Sequence, residues 1–205
     1  MLFLATALAA TALSLNFAFV GGLVAIPRVL WRLQLPVRPG VSLLLATTAE
    51  APGVVAAAYF ARLLPPWHCV VLSLVGLFLS IFAFVVAMVW HAKFEGVPVL
   101  EAPPAAAYVI LSLMAIKMFV STAFATVYGL TPDCFPQSVR ASACAVIVTF
   151  GRLGAIIAPP IFDAMRLAFG GDQEYFVGMA LVTLSNLLVL LPFRARLETA
   201  LAVRD

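Results

Sequence analysis

The stretch Tyr128–Pro160, which reads YGLTPDCFPQSVRASACAVIVTFGRLGAIIAPP, decides the fold of this chain. Two long apolar segments meet here at one short polar turn that contains Pro132 and Pro136. Arg152 lies in the middle of the second apolar segment. A charged side chain at lipid depth is costly and is usually retained for function. The stretch therefore predicts two membrane-spanning helices joined by a tight turn, with a functional residue inside the second helix.

The composition of the whole chain indicates a lipid environment. Of its 205 residues, 64% are hydrophobic and 10% are charged, whereas soluble domains have roughly 45–50% apolar and about 25% charged residues. The chain has too little polar surface to cover a water-facing globule, so we expect an integral, multi-pass membrane protein in contact with the bilayer. The net charge of +3 is small and argues against a nucleic-acid partner. The three cysteines have no metal or disulfide spacing and are expected to be free thiols.

The apolar segments predict an all-α transmembrane fold with a single six-span domain over residues 1–205. A span needs about 20 mostly apolar residues, and the predicted spans cover residues 3–26, 41–61, 67–90, 105–130, 141–165 and 175–193. Proline, glycine and charged residues mark the turns between them. The first span has an alternative interpretation as a signal peptide, but no Lys or Arg precedes it and it is long for a signal core. Arginines and lysines divide equally between the two sides of the membrane, so the positive-inside rule gives no orientation.

Three ionisable residues near span centres are the candidate substrate-binding or coupling residues: Glu50, Lys117 and Arg152. Asp, Lys or Arg costs about 2.5–3.5 kcal/mol at the bilayer centre, and a similar cost is assumed for Glu. We therefore expect these side chains to face protein or water. Two interpretations stay open for them, namely structural ion pairs inside a helix bundle and a functional path for an anion or a proton.

Helical spacing supports inward orientation of these charges. Small residues mark helix faces that approach closely, and two such faces are predicted: Glu50, Gly53 and Ala57 in the second span, and Gly151, Ala155 and Ala158 in the fifth. In the fourth span one stripe is mostly polar: Lys117, Ser121, Phe124 and Tyr128. The Pro159–Pro160 pair is expected to kink or break the fifth span.

Other polar residues favour structural roles. Asn16 is expected to form an interhelical hydrogen bond. His68 and His91 lie at span ends without a second histidine at ligand spacing, so no metal site and no cofactor are predicted. An intramembrane protease would need an H-E-x-x-H motif, or a serine with a histidine at membrane depth. The sequence contains neither, so the chain is not predicted to be an enzyme.

The turn and the apolar run after it resemble motifs of a known family. The turn Pro132–Ala141, PDCFPQSVRA, is similar to a P-E-x-F-P-T-x-x-R-A loop, and Gly151–Pro159, GRLGAIIAP, is similar to the run that follows it. Ala49–Gly53, AEAPG, is similar to an E-x-P-G motif. These motifs, in this order, resemble the second half of a major facilitator superfamily transporter, in its synaptic-vesicle-glycoprotein-like and organic ion or sugar transporter branches. The resemblance covers nearly the whole chain.

The resemblance implies a six-helix bundle equivalent to helices 7–12 of that fold, with both termini cytoplasmic. It also implies that Asp133 and Arg140 belong to a cytoplasmic gate, and that Arg152 lies near a central cavity where a cation suits an anionic or polar substrate. The chain departs from the pattern in three places. Asp133 replaces Glu, Gln137 replaces Thr, and the usual D-x-x-G-R-R loop is reduced to Ala61–Pro66, which leaves Arg62 as the candidate cationic partner of the gate.

The resemblance predicts transport of a small organic solute by alternating access, in which two halves rock around a site at the membrane midplane. One half supplies one wall of such a site, so the expected partners are the bilayer, the solute, and either a missing N-terminal half or a second copy. Two alternatives stay open: a self-sufficient homodimer of half-transporters, and a transport-inactive scaffold that pairs with a full transporter.

Overall fold

The protein is described by a computed structural model that covers residues 2–32, 39–92 and 105–191. Within these ranges the chain is helical and contains no strand. The helices are α1 Leu2–Arg32, α2 Pro39–Thr48, α3 Glu50–Leu63, α4 Pro66–Ala92, α5 Ala105–Leu130, a 3₁₀ helix Thr131–Cys134, α6 Arg140–Phe169 and α7 Gln173–Leu190. Six segments are long and apolar enough to cross a bilayer, with α2 and α3 forming one crossing. The predicted all-α class and the predicted number of spans are confirmed.

The first span is longer than predicted. The prediction ends it at residue 26, before Pro27, but α1 continues through this proline to Arg32. Val29 and Leu30 beyond the proline are almost completely buried. The packing of this last part of the helix against the bundle offsets the loss of one backbone hydrogen bond. The sixth span ends at Leu190 in α7, and the end of its prediction, at residues 192–193, lies outside the described residues.

The second span is interrupted in its middle, which the sequence prediction of one helix over 41–61 missed. Ala49 separates α2 from α3. Pro52 is the physical reason, because it has no N–H for the carbonyl of Thr48 and its ring crowds that carbonyl. The helical ladder resumes where the N–H of Gly53 donates to the carbonyl of Ala49 at 3.3 Å. The interruption places Glu50 in the first turn of a new helix.

The fifth span shows the opposite behaviour. The sequence predicts a kink or a break at Pro159–Pro160; the break is wrong, because α6 runs without interruption from Arg140 to Phe169, and the kink stays a prediction. Ala158 and Phe162 on either side of the pair are fully buried. Neighbouring helices therefore hold the segment in helical form despite the two missing N–H groups.

Helix packing follows a regular pattern. The extensive contacts are α1 with α6, α5 with both α3 and α4, and α7 with both α4 and α1. The first three spans can be exchanged with the last three, so that α1 takes the place of α5, α3 the place of α6, and α4 the place of α7. The α1–α6 contact then becomes the α5–α3 contact. By the same exchange, the α4–α5 contact becomes the α7–α1 contact, which is much smaller. The packing is therefore consistent with two three-span units of similar design.

Two glycines allow the closest helix crossings. A methyl group added at Gly53 in α3 would overlap the backbone carbonyl of Met118 in α5. A methyl group added at Gly154 in α6 would overlap the backbone carbonyl of Leu13 in α1. The crossings are equivalent under the same exchange of spans, since each joins a middle span to the first span of the other unit. They lock two helix pairs, α3 with α5 and α1 with α6.

Candidate functional site

A cleft of about 600 Å³ lies between these two helix pairs. Four of the six spans contribute its lining: Asn16 and Phe19 from α1, Glu50 and Val54 from α3, Ser121, Phe124, Ala125 and Tyr128 from α5, and Val148 and Arg152 from α6. Helices α4 and α7 contribute none of these residues and pack behind the cleft. Its volume falls within the range of about 300–1,000 Å³ that is typical of small-molecule sites.

The three predicted charges all lie at membrane depth. Each of Glu50, Lys117 and Arg152 is at least ten residues from either end of its membrane-spanning segment. At 1.5 Å per residue this separation is about 15 Å along the helix. Glu50 and Arg152 line the cleft, and Lys117 lies behind Glu50.

Lys117 and Glu50 form an ion pair, with the Lys117 Nζ donating to Glu50 Oε1 at 2.9 Å. Lys117 is 3% exposed, whereas the side chain of Glu50 is 28% exposed toward the cleft. The Lys117 ammonium also lies 4.6 Å from the ring centroid of Phe19, in cation–π geometry. The structure therefore shows an ion pair at the edge of a cleft, and its structural and functional interpretations both stay predictions.

An aromatic wall forms one side of the cleft and consists of Phe19, Phe124 and Tyr128. Phe19 meets Phe124 edge to face, with 5.6 Å between ring centroids. Phe124 and Tyr128 stack with 5.6 Å between centroids and planes only 7° apart. They are four residues apart on α5, so they share one helix face. Three members of the predicted stripe on the fourth span therefore line the cleft, namely Ser121, Phe124 and Tyr128, whereas the fourth member, Lys117, lies behind Glu50.

Asn16 joins α1 to α5 beside this wall. Its Nδ2 donates to Tyr128 Oη at 2.9 Å and to the carbonyl of Ala12 at 2.8 Å, so the predicted interhelical hydrogen bond is confirmed. Gly151 on α6 makes room for the pair, because an added methyl group would lie 2.7 Å from both Asn16 Nδ2 and Tyr128 Oη. The next residue, Arg152, is thereby brought to the cleft.

Arg152 differs from the other two charges because it is exposed. Within the described ranges its guanidinium has neither an ion pair nor a hydrogen bond. Asp163, three turns further along α6, instead pairs with Arg28 of α1 at 2.7 Å. The cleft thus contains one neutralised pair and one cation without a counter-ion in the part of the chain that is described.

The candidate gate residues lie at one end of the bundle, since the second and fourth connections emerge on the same side. Arg62 is exposed in the last turn of α3, and Asp133 is exposed in the 3₁₀ helix. Arg140 begins α6 and donates from Nε to the carbonyl of Phe135 at 3.4 Å. This contact ties the arginine to the backbone of the turn. The gate role of Asp133, Arg140 and Arg62 stays a prediction.

Sequence reasoning missed two features of the site. Phe19 was not singled out, although it contacts both the buried ammonium and the aromatic wall. The interruption before Glu50 was also missed, although Pro52 was the signal for it.

The fold and the cleft define a class: a helical, six-span protein with ionised groups at bilayer depth. Neither a protein-family model nor a curated protein sequence matches this chain. Membership of the major facilitator superfamily stays a prediction from the motifs.

Proposed function

We propose that this chain is one half of a solute transporter and that the cleft is its share of the solute path. The observation that carries the proposal is Arg152, an arginine at mid-membrane depth that lines a cleft and has no counter-ion among the described residues. Intramembrane cations usually mark a path for substrates or ions. A purely structural cation would be expected to have a partner, as Lys117 does.

The packing pattern supports the same proposal. In major facilitator transporters each six-span half contains two three-span repeats, and the substrate site lies at the midplane between the halves. The exchange of spans described above is the contact pattern that such repeats would produce. Membership of that fold would also explain why the cleft is open to the surface, because a partner half would cover it.

The position of Val54 and Val148 supports a missing wall. Both apolar side chains are exposed while they line a cleft that also contains charges. The valines alone would also suit acyl chains, but the unpaired arginine beside them suits a wet interface between two halves. A second copy of this chain is the alternative occupant, since the two halves of that fold are related by an axis along the membrane normal.

The proposal requires that the cleft is wet, and cysteine labelling tests this. Val54→Cys and Leu79→Cys form a matched pair, because both residues are far from span ends and their exposures are 51% and 56%. Only Val54 lines the cleft. With the natural cysteines replaced in both variants, we expect a charged aqueous thiol reagent to label Val54→Cys in membrane vesicles and to leave Leu79→Cys unlabelled. Equal protection of both would show that lipid covers the cleft, and the proposal would be wrong.

A transport assay tests the half-site part of the proposal. The chain alone is reconstituted into vesicles and tested with three classes of labelled solute: organic acids, organic cations and hexoses. No saturable uptake of any of them is expected. Saturable uptake by the chain as a monomer would contradict the requirement for a second wall.

A further inference from the structure

The cleft carries a single positive charge. Among its lining residues only Glu50 and Arg152 are charged, and the Glu50 carboxylate is already matched by Lys117 at 2.9 Å. Arg152 therefore sets the charge of the surface that a solute meets. A guanidinium offers a planar fork of N–H donors that suits a carboxylate. A solute with one negative charge neutralises the positive charge of Arg152, whereas a cationic solute would add a second positive charge to the cleft.

The uncharged part of the lining is mostly apolar and flat. Phe19, Phe124 and Tyr128 present ring surface, and Val54 and Val148 present aliphatic surface. The uncharged donors beside them are the hydroxyl groups of Ser121 and Tyr128, since the Asn16 amide N–H groups already bond to Tyr128 and to a backbone carbonyl. A sugar would leave many of its hydroxyl groups without partners here, which is unfavourable. A planar ring, in contrast, packs on the aromatic wall by stacking or edge contact.

We propose that the cleft binds a planar organic monoanion, a carboxylate attached to an aromatic ring, with the carboxylate on the Arg152 guanidinium and the ring against Phe124 and Tyr128. The inference rests on the proposed function, because it assigns the substrate class of the same cleft. It goes beyond that function by excluding cations, sugars and neutral rings as the preferred solutes.

Saturation-transfer NMR on the full chain in lipid nanodiscs measures this preference, because the method detects weak binding to a one-walled site. Benzoate is the probe. Cyclohexanecarboxylate keeps the charge without the flat ring, benzyl alcohol keeps the ring without the charge, benzylammonium reverses the charge, and glucose represents sugars. After subtraction of empty nanodiscs, benzoate is expected to bind with the lowest Kd of the five.

Substitutions separate the two contacts. Arg152→Gln is expected to weaken benzoate binding about tenfold, which is the loss expected for one charge-assisted hydrogen-bonded contact, and to leave benzyl alcohol unchanged. Phe124→Leu is expected to weaken benzoate and to leave cyclohexanecarboxylate unchanged. Arg166→Gln, which removes another arginine from the same helix, outside the cleft, is the matched control and is expected to change nothing. Thermal unfolding of each variant verifies that the fold is intact.

The outcomes distinguish this inference from the proposed function. Tighter binding of benzylammonium, glucose or benzyl alcohol than of benzoate overturns the inference, and so does benzoate binding that Arg152→Gln does not weaken. Either result leaves the solute path in place if Val54→Cys is labelled from water. If Val54→Cys is protected from the aqueous thiol reagent, the proposed solute path itself is wrong.

Discussion

Lys117 and Glu50 show how a charge is accommodated at membrane depth. The ammonium is buried between a carboxylate and the face of Phe19, so two separate contacts offset its desolvation. Glu50 keeps part of its carboxylate in the cleft. The pair is therefore asymmetric: the buried Lys117 ammonium depends on Glu50 for its counter-charge more than the partly exposed Glu50 carboxylate depends on Lys117.

This asymmetry predicts unequal effects of substitution. Glu50→Gln leaves a buried ammonium without a counter-ion and is expected to destabilise the fold by about 1–3 kcal/mol, less than the 3–5 kcal/mol typical of fully buried pairs because Glu50 is partly exposed. Glu50→Gln combined with Lys117→Met is expected to recover most of that loss. Reversible unfolding in mixed micelles of the unsubstituted chain, Glu50→Gln, Lys117→Met and the double variant measures the cycle. A double variant that is less stable than Glu50→Gln alone would contradict this account.

At the residue scale the sequence placed three charged side chains near the middle of their spans, which the structure confirms, but it did not predict how they pair. Hydropathy identifies Glu50, Lys117 and Arg152 as costly at their depth, whichever neighbours they have. Which of the two cations receives the carboxylate depends on how α3 lies against α5, and residue types alone do not contain that information. The same limit explains why Phe19 was missed, since a phenylalanine in an apolar span gives no distinct signal.

At the scale of elements, prolines inside the spans differ in whether they interrupt a helix. Pro52 interrupts its span, whereas Pro27 and Pro159–Pro160 lie inside continuous helices. The local cost is the same in each case, so the difference comes from the surroundings. Buried side chains follow or flank the tolerated prolines. Burial of the whole span does not account for the difference, because 28% of the second span's window lies inside the protein, against 22% for the uninterrupted fifth span.

The glycine crossing of α3 with α5 makes a prediction at this scale. Gly53→Ala places a methyl group against the Met118 carbonyl, which must separate the helices, so a destabilisation of about 1–3 kcal/mol is expected. Gly129→Ala is the matched control in α5, because nothing lies within 4 Å of its added methyl group. That control is expected to be neutral or to stabilise by up to about 1 kcal/mol, from the better helix propensity of alanine. Thermal unfolding in detergent compares the two, and equal midpoints would show that the crossing is looser than described.

At the scale of the whole molecule, the sequence predicted six crossings because length and hydropathy determine them. It did not predict which spans are neighbours, since most membrane-spanning segments have similar apolar surfaces. The cleft is a product of that arrangement. Residues 16, 50, 121 and 152 are distant in the chain and meet only because α1 packs on α6 and α3 packs on α5.

The one-sided cleft predicts how the chain behaves without a partner half. Val148→Cys lies on the cleft and Leu79→Cys lies on α4, which does not contribute to it. With the chain alone in membranes and the natural cysteines replaced, neither variant is expected to form a disulfide-linked dimer under mild oxidation. Efficient dimer formation by Val148→Cys and not by Leu79→Cys would contradict this, and would establish a second copy as the opposite wall.

The hydrogen bond from Asn16 to Tyr128 has a mechanical consequence. It connects α1 to α5, and each of those helices is fastened to its own companion by a glycine crossing. Rocking of one fastened pair relative to the other would therefore change this bond and the Phe19–Phe124 contact beside it. The length of the Asn16–Tyr128 hydrogen bond would then vary with the width of the cleft, and the vibrational frequency of the Tyr128 phenol would follow that length.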